Sequence, residues 1–259
     1  MVDSKKLPYV IIVTFNPNFE QVLNNIQKIK GYVEKIILVD NHSDNNKSFI
    51  ERIKRSNISN IEAIMLNSNR GVGYAQNLGI KRICKEKAKI ENPIVFLDQD
   101  SYYTGEQLYR ITTDFLKELS RDHIVAMIGP SFDPNVNEAS QFTSVKEIIS
   151  SGSVTNIETF RKVGIFKSEF FIDFIDYEWC WRATDFGLKI LRDNQVFLHH
   201  QINGQLRKRL GKKITPTFRI YYVCRNLVYC LIRCPLKKGD KMRWCLKLFI
   251  NAAFQCIFG

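Results

Sequence analysis

The chain has 259 residues, 45% of them apolar, a globular composition long enough for one large or two small domains with a sizeable core. Its 38 Lys and Arg against 26 Asp and Glu give a formal charge of +12, which points to a phosphate-bearing substrate, an anionic membrane face or another polyanion without choosing among them. The seven Cys are odd in number and lack paired metal-type spacing, no secretory signal opens the chain, and the nearest approach to the roughly 20 apolar residues of a membrane span, Met242 to Phe258, is interrupted by Arg243 and Lys247; reduced thiols in the cytoplasm are expected.

In chain order, "YVIIVTF" predicts a first strand, Asn16 and Pro17 a turn, and Phe19 to about Gly31 a helix. "KIILVD" is a second strand that ends on Asp40, followed by the turn-rich "NHSDNN", a helix over Lys47 to Ser56 and a strand around "IEAIML". "NSNRGVGYAQNLGIKRICKE" reads as a loop with Gly71 and Gly73 running into a helix that carries Asn77, and "PIVFLDQD" as a buried parallel strand. Strands alternating with helices predict an α/β fold with a doubly wound, mostly parallel sheet. No repeat or low-complexity linker interrupts residues 1–205, which read as one domain, with residues 206–259 as a tail of different character.

Chemistry collects where strands end, the place at which open α/β sheets bind ligands. Asp98 and Asp100 follow the "PIVF" run on the same side of an extended chain, and their hard oxygens suit a divalent cation that also holds phosphate; a turn-capping pair is the plainer alternative. Asp40 can accept from a pyrimidine N3–H or a ribose hydroxyl, or can serve as a turn residue. Gly71 and Gly73 permit close backbone approach to a ligand but match neither a dinucleotide fingerprint nor a Walker loop. "FFIDFIDYEWCWRA" sets Asp173, Asp176 and Glu178 around an expected strand-to-helix junction. Glu178 and Arg182, four apart, are expected to pair as a structural bridge. Asp176 is either the N-cap of that helix or a general base facing a sugar hydroxyl. A His after "VFL" can give a neutral imidazole nitrogen to a metal already held by carboxylate and phosphate.

The ordered set "VIIVTFNP", "ILVDNHS", "NRGVGYAQNLG", "FLDQDS", "ISSGS", "FIDFIDYEWCWRA", "HHQING" and "YYVCRN" resembles the family 2 glycosyltransferases, most closely bacterial rhamnosyltransferases, over about residues 8–230. The resemblance implies the GT-A nucleotide-sugar fold with a C-terminal helical tail. It implies that Thr14, Asp40 and Asn69 line a nucleoside pocket, that Gly71 and Asn77 shape the loop beside it, and that Asp98 sits near ribose and diphosphate. Asp100 is then the main carboxylate ligand of Mg2+ or Mn2+ and His200 the second, chosen over His199 because "HQIN" aligns with the family's His-x-Ile-Gly, Asn203 standing for the Gly. Ser151 and Gly152 border donor sugar and acceptor, and Asp176 deprotonates the acceptor hydroxyl. The implied reaction is an inverting single displacement, most naturally of L-rhamnose from dTDP-rhamnose onto a lipid-linked surface-polysaccharide precursor. A UDP-sugar donor such as glucose, galactose or galactofuranose, and a catalytically silent nucleotide-sugar-binding subunit, are the alternatives.

Past Gly204, "QLRKRLGKK" and the segment from Thr215 to Phe258 interleave basic residues with aromatics and aliphatics at helical spacing. Such a segment fits the inner face of the cytoplasmic membrane, where it would attach peripherally; packing on the catalytic domain or on a second copy of the chain is the alternative. A nucleic-acid-binding role rests on charge alone and leaves the acidic motifs unexplained, so no nucleic-acid partner is expected.

Overall fold

The computed structural model describes residues 6–86, 92–133, 140–200, 208–209, 212–213 and 216–258. The expected Asn203 position and the first part of the basic stretch after Gly204 lie largely outside these residues. The chain begins β1 (Tyr9–Thr14), α1 (Phe19–Ile29), β2 (Lys35–Asp40), α2 (Asn46–Arg55), β3 (Ile61–Met65), α3 (Val72–Lys85) and β4 (Pro93–Asp98). It continues with a two-residue β5 (Ser101–Tyr102), α4 (Gly105–Arg121), β6 (Val125–Ser131), β7 (Phe142–Val145), β8 (Val154–Asn156) and α5 (Ile157–Val163). Then come α6 (Ile175–Asp185), β9 (Lys189–Phe197), β10 (His199–His200), the short pair β11 (Lys208–Arg209) and β12 (Lys212–Lys213), α7 (Thr217–Arg233) and α8 (Lys238–Phe258).

The central sheet has the order β3-β2-β1-β4-β8-β6-β9-β7. β1, β2, β3 and β4 are mutually parallel, as are β6 and β9, whereas β8 runs antiparallel between β4 and β6 and β7 antiparallel on the β9 edge. Helices cover both faces of the sheet, and the inner strands β1, β2 and β4 accordingly read as near-unbroken apolar runs. Along β1, Val10 and Ile12 pack with Val22 and Ile26 of α1, Phe49 of α2 and Phe115 of α4. The alternate residues Ile11 and Val13 face Ala75 and Ile80 of α3, Phe160 of α5, Trp179 of α6 and Leu227 of α7. The layers are therefore helix, sheet, helix.

α7 and α8 belong to this second layer. Leu227, Cys230 and Cys234 of α7 and its end, with Trp244 of α8, are buried in the same core as α3 and α6. Trp244 packs edge-on to Phe174 and Trp181, while Glu147 accepts from Arg243 and from the indole N–H groups of Trp181 and Trp244. The inner face of the tail is thus closed against the catalytic layers, and no described helix is long and apolar enough to cross a membrane.

Two expectations need correction. No strand leads into α6: a 3-10 turn over Ser168–Phe170 is followed by Phe171, Asp173 and Phe174 at φ of 64°, 61° and 63°. The helix consequently starts earlier than "YEWCWRATDFG", with Phe174 at the cap position and Asp176 inside its first turn, so Asp176 is not the N-cap. Likewise Asp98 and Asp100 do not share one extended strand, because β4 ends at Asp98 and the chain turns through Gln99 and Asp100.

Candidate active site

The acidic cluster forms at the carboxyl end of β4. Ser151 and Gly152 are stitched to that strand end: Gly152 N–H donates to Phe96 O (2.7 Å), Phe96 N–H donates to Ser153 O (3.2 Å), and Asp98 N–H donates to the Ser151 hydroxyl (3.1 Å). Gly152 sits at φ 81°, where an added Cβ would lie 2.8 Å from both the Pro130 ring of β6 and the Tyr103 hydroxyl, so only glycine lets this loop press so closely on those side chains. Desolvation, then the charges of Asp100 and Asp176, push Asp98 up to about 7, against the Ser151 hydroxyl and the Arg219 cation. Asp98 therefore sits within electrostatic reach of both Asp100 and Asp176.

His200 is brought to Asp100 by the β5–β10 pair, in which Tyr102 opposes His199 and Ser101 opposes His200. The Ser101 hydroxyl lies 2.8 Å from His200 Nδ1, leaving Nε2 3.7 Å from Asp100 Oδ2. A hydrogen-bonded Nδ1 with Nε2 facing a carboxylate is the arrangement that orients an imidazole for a metal. His199 has a different task. Its ring stacks on Tyr102 (centroids 4.7 Å apart), whose other neighbour is the Lys28 ammonium at 3.4 Å, and this stack fastens β10 on β5. Among the described residues no cluster of three His, Cys, Asp or Glu side chains suited to a metal forms. Asp100 and His200 are the residues that would hold a divalent cation here, offering a hard oxygen and an imidazole nitrogen.

Asp176 faces the cluster from α6. Its Oδ2 accepts from Ser150 N–H (3.1 Å) and its Oδ1 from Tyr177 N–H (2.9 Å). Burial raises its pKa to about 6 in spite of those backbone donors. The carboxyl is thus held in one orientation and has a proton affinity well above that of a solvated Asp. Gln76 of α3, buried, donates to the Ser150 hydroxyl (2.9 Å) and supports the same loop.

Thr14 and Asp40 are wholly buried and bonded together: Thr14 Oγ1 donates to Asp40 Oδ2 (3.0 Å), and Ser43 donates to the same carboxylate through its N–H (2.8 Å) and hydroxyl (2.5 Å). As placed, the pair fixes the loops after β1 and β2. Asn69 is fixed by Asn41, whose Nδ2 donates to Asn69 Oδ1 (2.8 Å), an oxygen that also accepts from Gly71 N–H (3.0 Å). Gly71, at φ 82°, abuts the left-handed segment so closely that a Cβ would stand 2.4 Å from Phe171 O. Asn77 is not at the ligand face: buried on α3, it exchanges hydrogen bonds with the backbone of Phe166 and donates to the Ser168 hydroxyl, holding the segment before α6. Glu178, buried, forms a two-pronged bridge to Arg182, which also donates to Val163 O and Ile165 O and so ties α6 to the loop after α5.

Residues that motif reading left without a role also converge here. Asn41, Ser150 and Gln76 lie beside motif residues in the sequence, but their function as struts appears only in three dimensions. Arg219 and Asn226 of α7 reach the segment before α6 from the other end of the chain: Arg219 holds Asp173 with two hydrogen bonds of 2.8 Å, and Asn226 Nδ2 points at the carbonyls of Phe170, Ile172 and Asp173. Two surface cavities, about 700 and 380 Å³, flank the edge strand β3, remote from the carboxylates, so it is the charged cluster that marks this site.

A nucleotide-sugar fold whose strand-end carboxylates face a helix-borne Asp defines a class of transferase. The chain belongs to glycosyltransferase family 2, since the model of that family, described as "Glycosyl transferase family 2", matches residues 9–170. It is a glycosyltransferase with the GT-A fold, and Asp176 and His200 lie beyond the matched span. More particularly, it is 30% identical to the dTDP-rhamnosyl transferase RfbF of Shigella flexneri, across 87% of this chain and 79% of that protein. Among solved structures, the mannosyltransferase PcManGT of Pyrobaculum calidifontis in complex with GDP-Man and Mn2+ superposes with a TM-score of 0.66 at 16% identity, covering 95% of this chain and 71% of that one. GalNAc-T7 with UDP, GalNAc and Mn2+ superposes with a TM-score of 0.64 at 13% identity; this chain, 88% covered, spans about half (51%) of that one. These two likenesses are likenesses of fold.

Proposed function

We propose that the protein transfers L-rhamnose from dTDP-rhamnose to a hydroxyl of a lipid-linked surface-polysaccharide precursor at the cytoplasmic face of the membrane, with inversion at the anomeric carbon. The observation that carries this reading is the meeting of Asp98, Asp100 and His200 with Asp176 across one strand end. The donor is taken from the rhamnosyl relative. The acceptor hydroxyl gives its proton to Asp176 as its oxygen attacks the anomeric carbon, and the bond from that carbon to the diphosphate oxygen breaks. Asp100 and His200 would hold Mg2+ or Mn2+, which when bound neutralises charge growing on the departing nucleoside diphosphate. The Asn69–Gly71 loop and the strand end at Asp98 bound the nucleotide, while Ser151 and Gly152 border the sugar.

The test is hydrolysis and binding of dTDP-rhamnose, UDP-glucose and UDP-galactose, each with Mn2+ and with chelator. Metal-dependent preference for dTDP-rhamnose is expected. Preference for a UDP-sugar replaces the donor and keeps the mechanism, and absence of both binding and turnover with all three overturns the reading.

A further inference from the structure

We propose that α7 is a working part of the active site: Arg219 and Asn226 are positioning residues that clamp the left-handed segment 171–174, and through it set the base Asp176 and the donor loop at Gly71 together. The role assigned to Asp176 rests on the function proposed above; the clamp itself is read from geometry.

Three non-glycine residues of this segment have positive φ, Phe171 as the centre of a γ-turn (φ 64°, ψ −62°) closed by Ile172 N–H to Phe170 O (2.7 Å) and Phe174 in the left-handed region (φ 63°, ψ 2°), conformations in which L side chains crowd the backbone and which a free chain would leave. Such a conformation persists only when its surroundings over-determine it. The surroundings here come from α7. Asn226 is buried and shares its two amide hydrogens among Phe170 O (2.9 Å), Ile172 O (2.8 Å) and Asp173 O (2.9 Å); Phe170 O also accepts from Ile172 N–H (2.7 Å), so the amide gathers the carbonyls of Ile172 and Asp173 onto a turn already closed at Phe170. Arg225 donates to Glu169 O (2.6 Å) and Phe170 O (3.0 Å), Tyr222 stacks on the Phe171 ring at 4.8 Å, and Arg219 grips the Asp173 carboxylate with a guanidinium fork. The "YYVCRN" motif, to which no chemistry attached in the sequence, thereby acquires a task.

The clamped segment has two outputs. Phe171 O accepts from Val72 N–H (2.7 Å), the first residue of α3, and it is against this carbonyl that Gly71 must lie without a side chain. Phe174 O accepts from Glu178 N–H and opens the helix turn that carries Asp176. A shift of the segment would move the nucleotide loop and the base in the same motion, and misplacement of about 1 Å is enough to cost on the order of 10²-fold in rate. Arg219 is half-exposed, so its removal does not empty the core, and its charge also faces Asp98 and Asp176.

The experiment compares the full-length parent with Arg219→Ala, Arg219→Lys, Asn226→Ala and Asp176→Asn, using the dTDP-rhamnose, UDP-glucose and UDP-galactose panel for turnover and amide hydrogen exchange over residues 169–176 without donor. Arg219→Ala is expected to lower kcat about tenfold and to raise donor KM with the melting temperature retained, and Arg219→Lys to restore part of both. Asn226→Ala, if it folds, is expected to speed exchange over 169–176, to lower kcat and to raise donor KM. Turnover of Arg219→Ala within twofold of the parent, or unchanged exchange in both α7 variants, overturns the clamp. Full activity of Asp176→Asn beside a crippled Arg219→Ala would remove the base assignment and leave the clamp standing; the opposite pattern would remove the clamp alone.

Discussion

At the scale of single residues, Asp176 combines a fixed direction with an elevated proton affinity. Two backbone N–H groups orient it and burial raises its pKa to about 6. Only the ionised form accepts a proton, so kcat/KM is expected to climb at least about tenfold per pH unit below about 6 and, with the neighbouring Asp98 held up at about 7, to level off only above about 7, because that parameter reports the free enzyme. Asp176→Asn keeps the shape and removes the basicity. It should lower turnover by roughly 10² or more while nucleotide-sugar binding persists; near-parental turnover would take the base role from Asp176. Asp100 answers to a different measurement. Its Oδ2 lies 3.7 Å from His200 Nε2, and the proposed function makes it the carboxylate ligand beside that imidazole. Asp100→Ala should therefore abolish the gain in nucleotide affinity that Mn2+ gives the parent in calorimetry. The same Mn2+ gain in variant and parent would reject the ligand assignment.

At the scale of elements, α6 shows how burial decides what a charge pair is worth. Glu178–Arg182 and Glu51–Arg55 are both four apart on helices, yet Glu178 is 1% exposed and Glu51 64%. Glu178→Ala leaves a largely buried guanidinium short of its counter-charge and is expected to cost about 3 kcal/mol in urea unfolding. Glu51→Ala is expected to cost less than about 0.5 kcal/mol. Comparable losses in the two variants would contradict the structural role of the α6 pair. The pair was legible in the sequence from its spacing, as were β1, β2 and β4, whose double-sided burial produces continuous apolar runs ending on Thr14, Asp40 and Asp98, while the half-buried edge strand β3 is broken by Glu62. Asp98 and Asp100 were legible for the same reason, standing just past such a run. The segment 171–174 was not. Left-handed backbone is ordinarily announced by Gly or Asn, and here Phe171, Asp173 and Phe174 are forced into it by an Asn more than 50 positions away. The antiparallel β8 is similarly hidden, because three residues of "VTN" carry no readable period, and its place is set by pairing with β4. His200 was chosen by likeness of motif; what places it is the ladder of Lys28, Tyr102 and His199, which no local pattern records.

At the scale of the whole molecule, the charge of +12 has an unequal distribution that the fold makes visible. α7 contains no acidic residue and α8 a single one, Asp240, already paired with Lys146. Their inner sides are closed into the core, but Phe218, Tyr221 and Ile232 on α7 and Met242, Leu246 and Ile250 on α8 are 53–69% exposed, at spacings of three, four and multiples of a turn that place them as stripes. Arg233, Lys238, Lys241, Arg243 and Lys247 are interspersed with these residues along the two helices. Apolar stripes bordered by cations suit an anionic bilayer surface, where each basic residue contributes about 1 kcal/mol and buried apolar area adds to it. Under the proposed function, a lipid-linked acceptor would be met at such a surface. The full chain is expected to co-sediment with vesicles containing phosphatidylglycerol and to do so progressively less as salt shortens the Debye length below about 10 Å. Replacing Ile232 and Leu246 together by Glu, both well exposed and outside the core, should release the protein at least tenfold while leaving the hydrolysis of a soluble donor unchanged. Equal binding to phosphatidylcholine vesicles, or undiminished binding by the double variant, would reject the surface as the membrane contact, and a halved mass of the double variant in solution would assign these stripes instead to pairing between two copies of the chain.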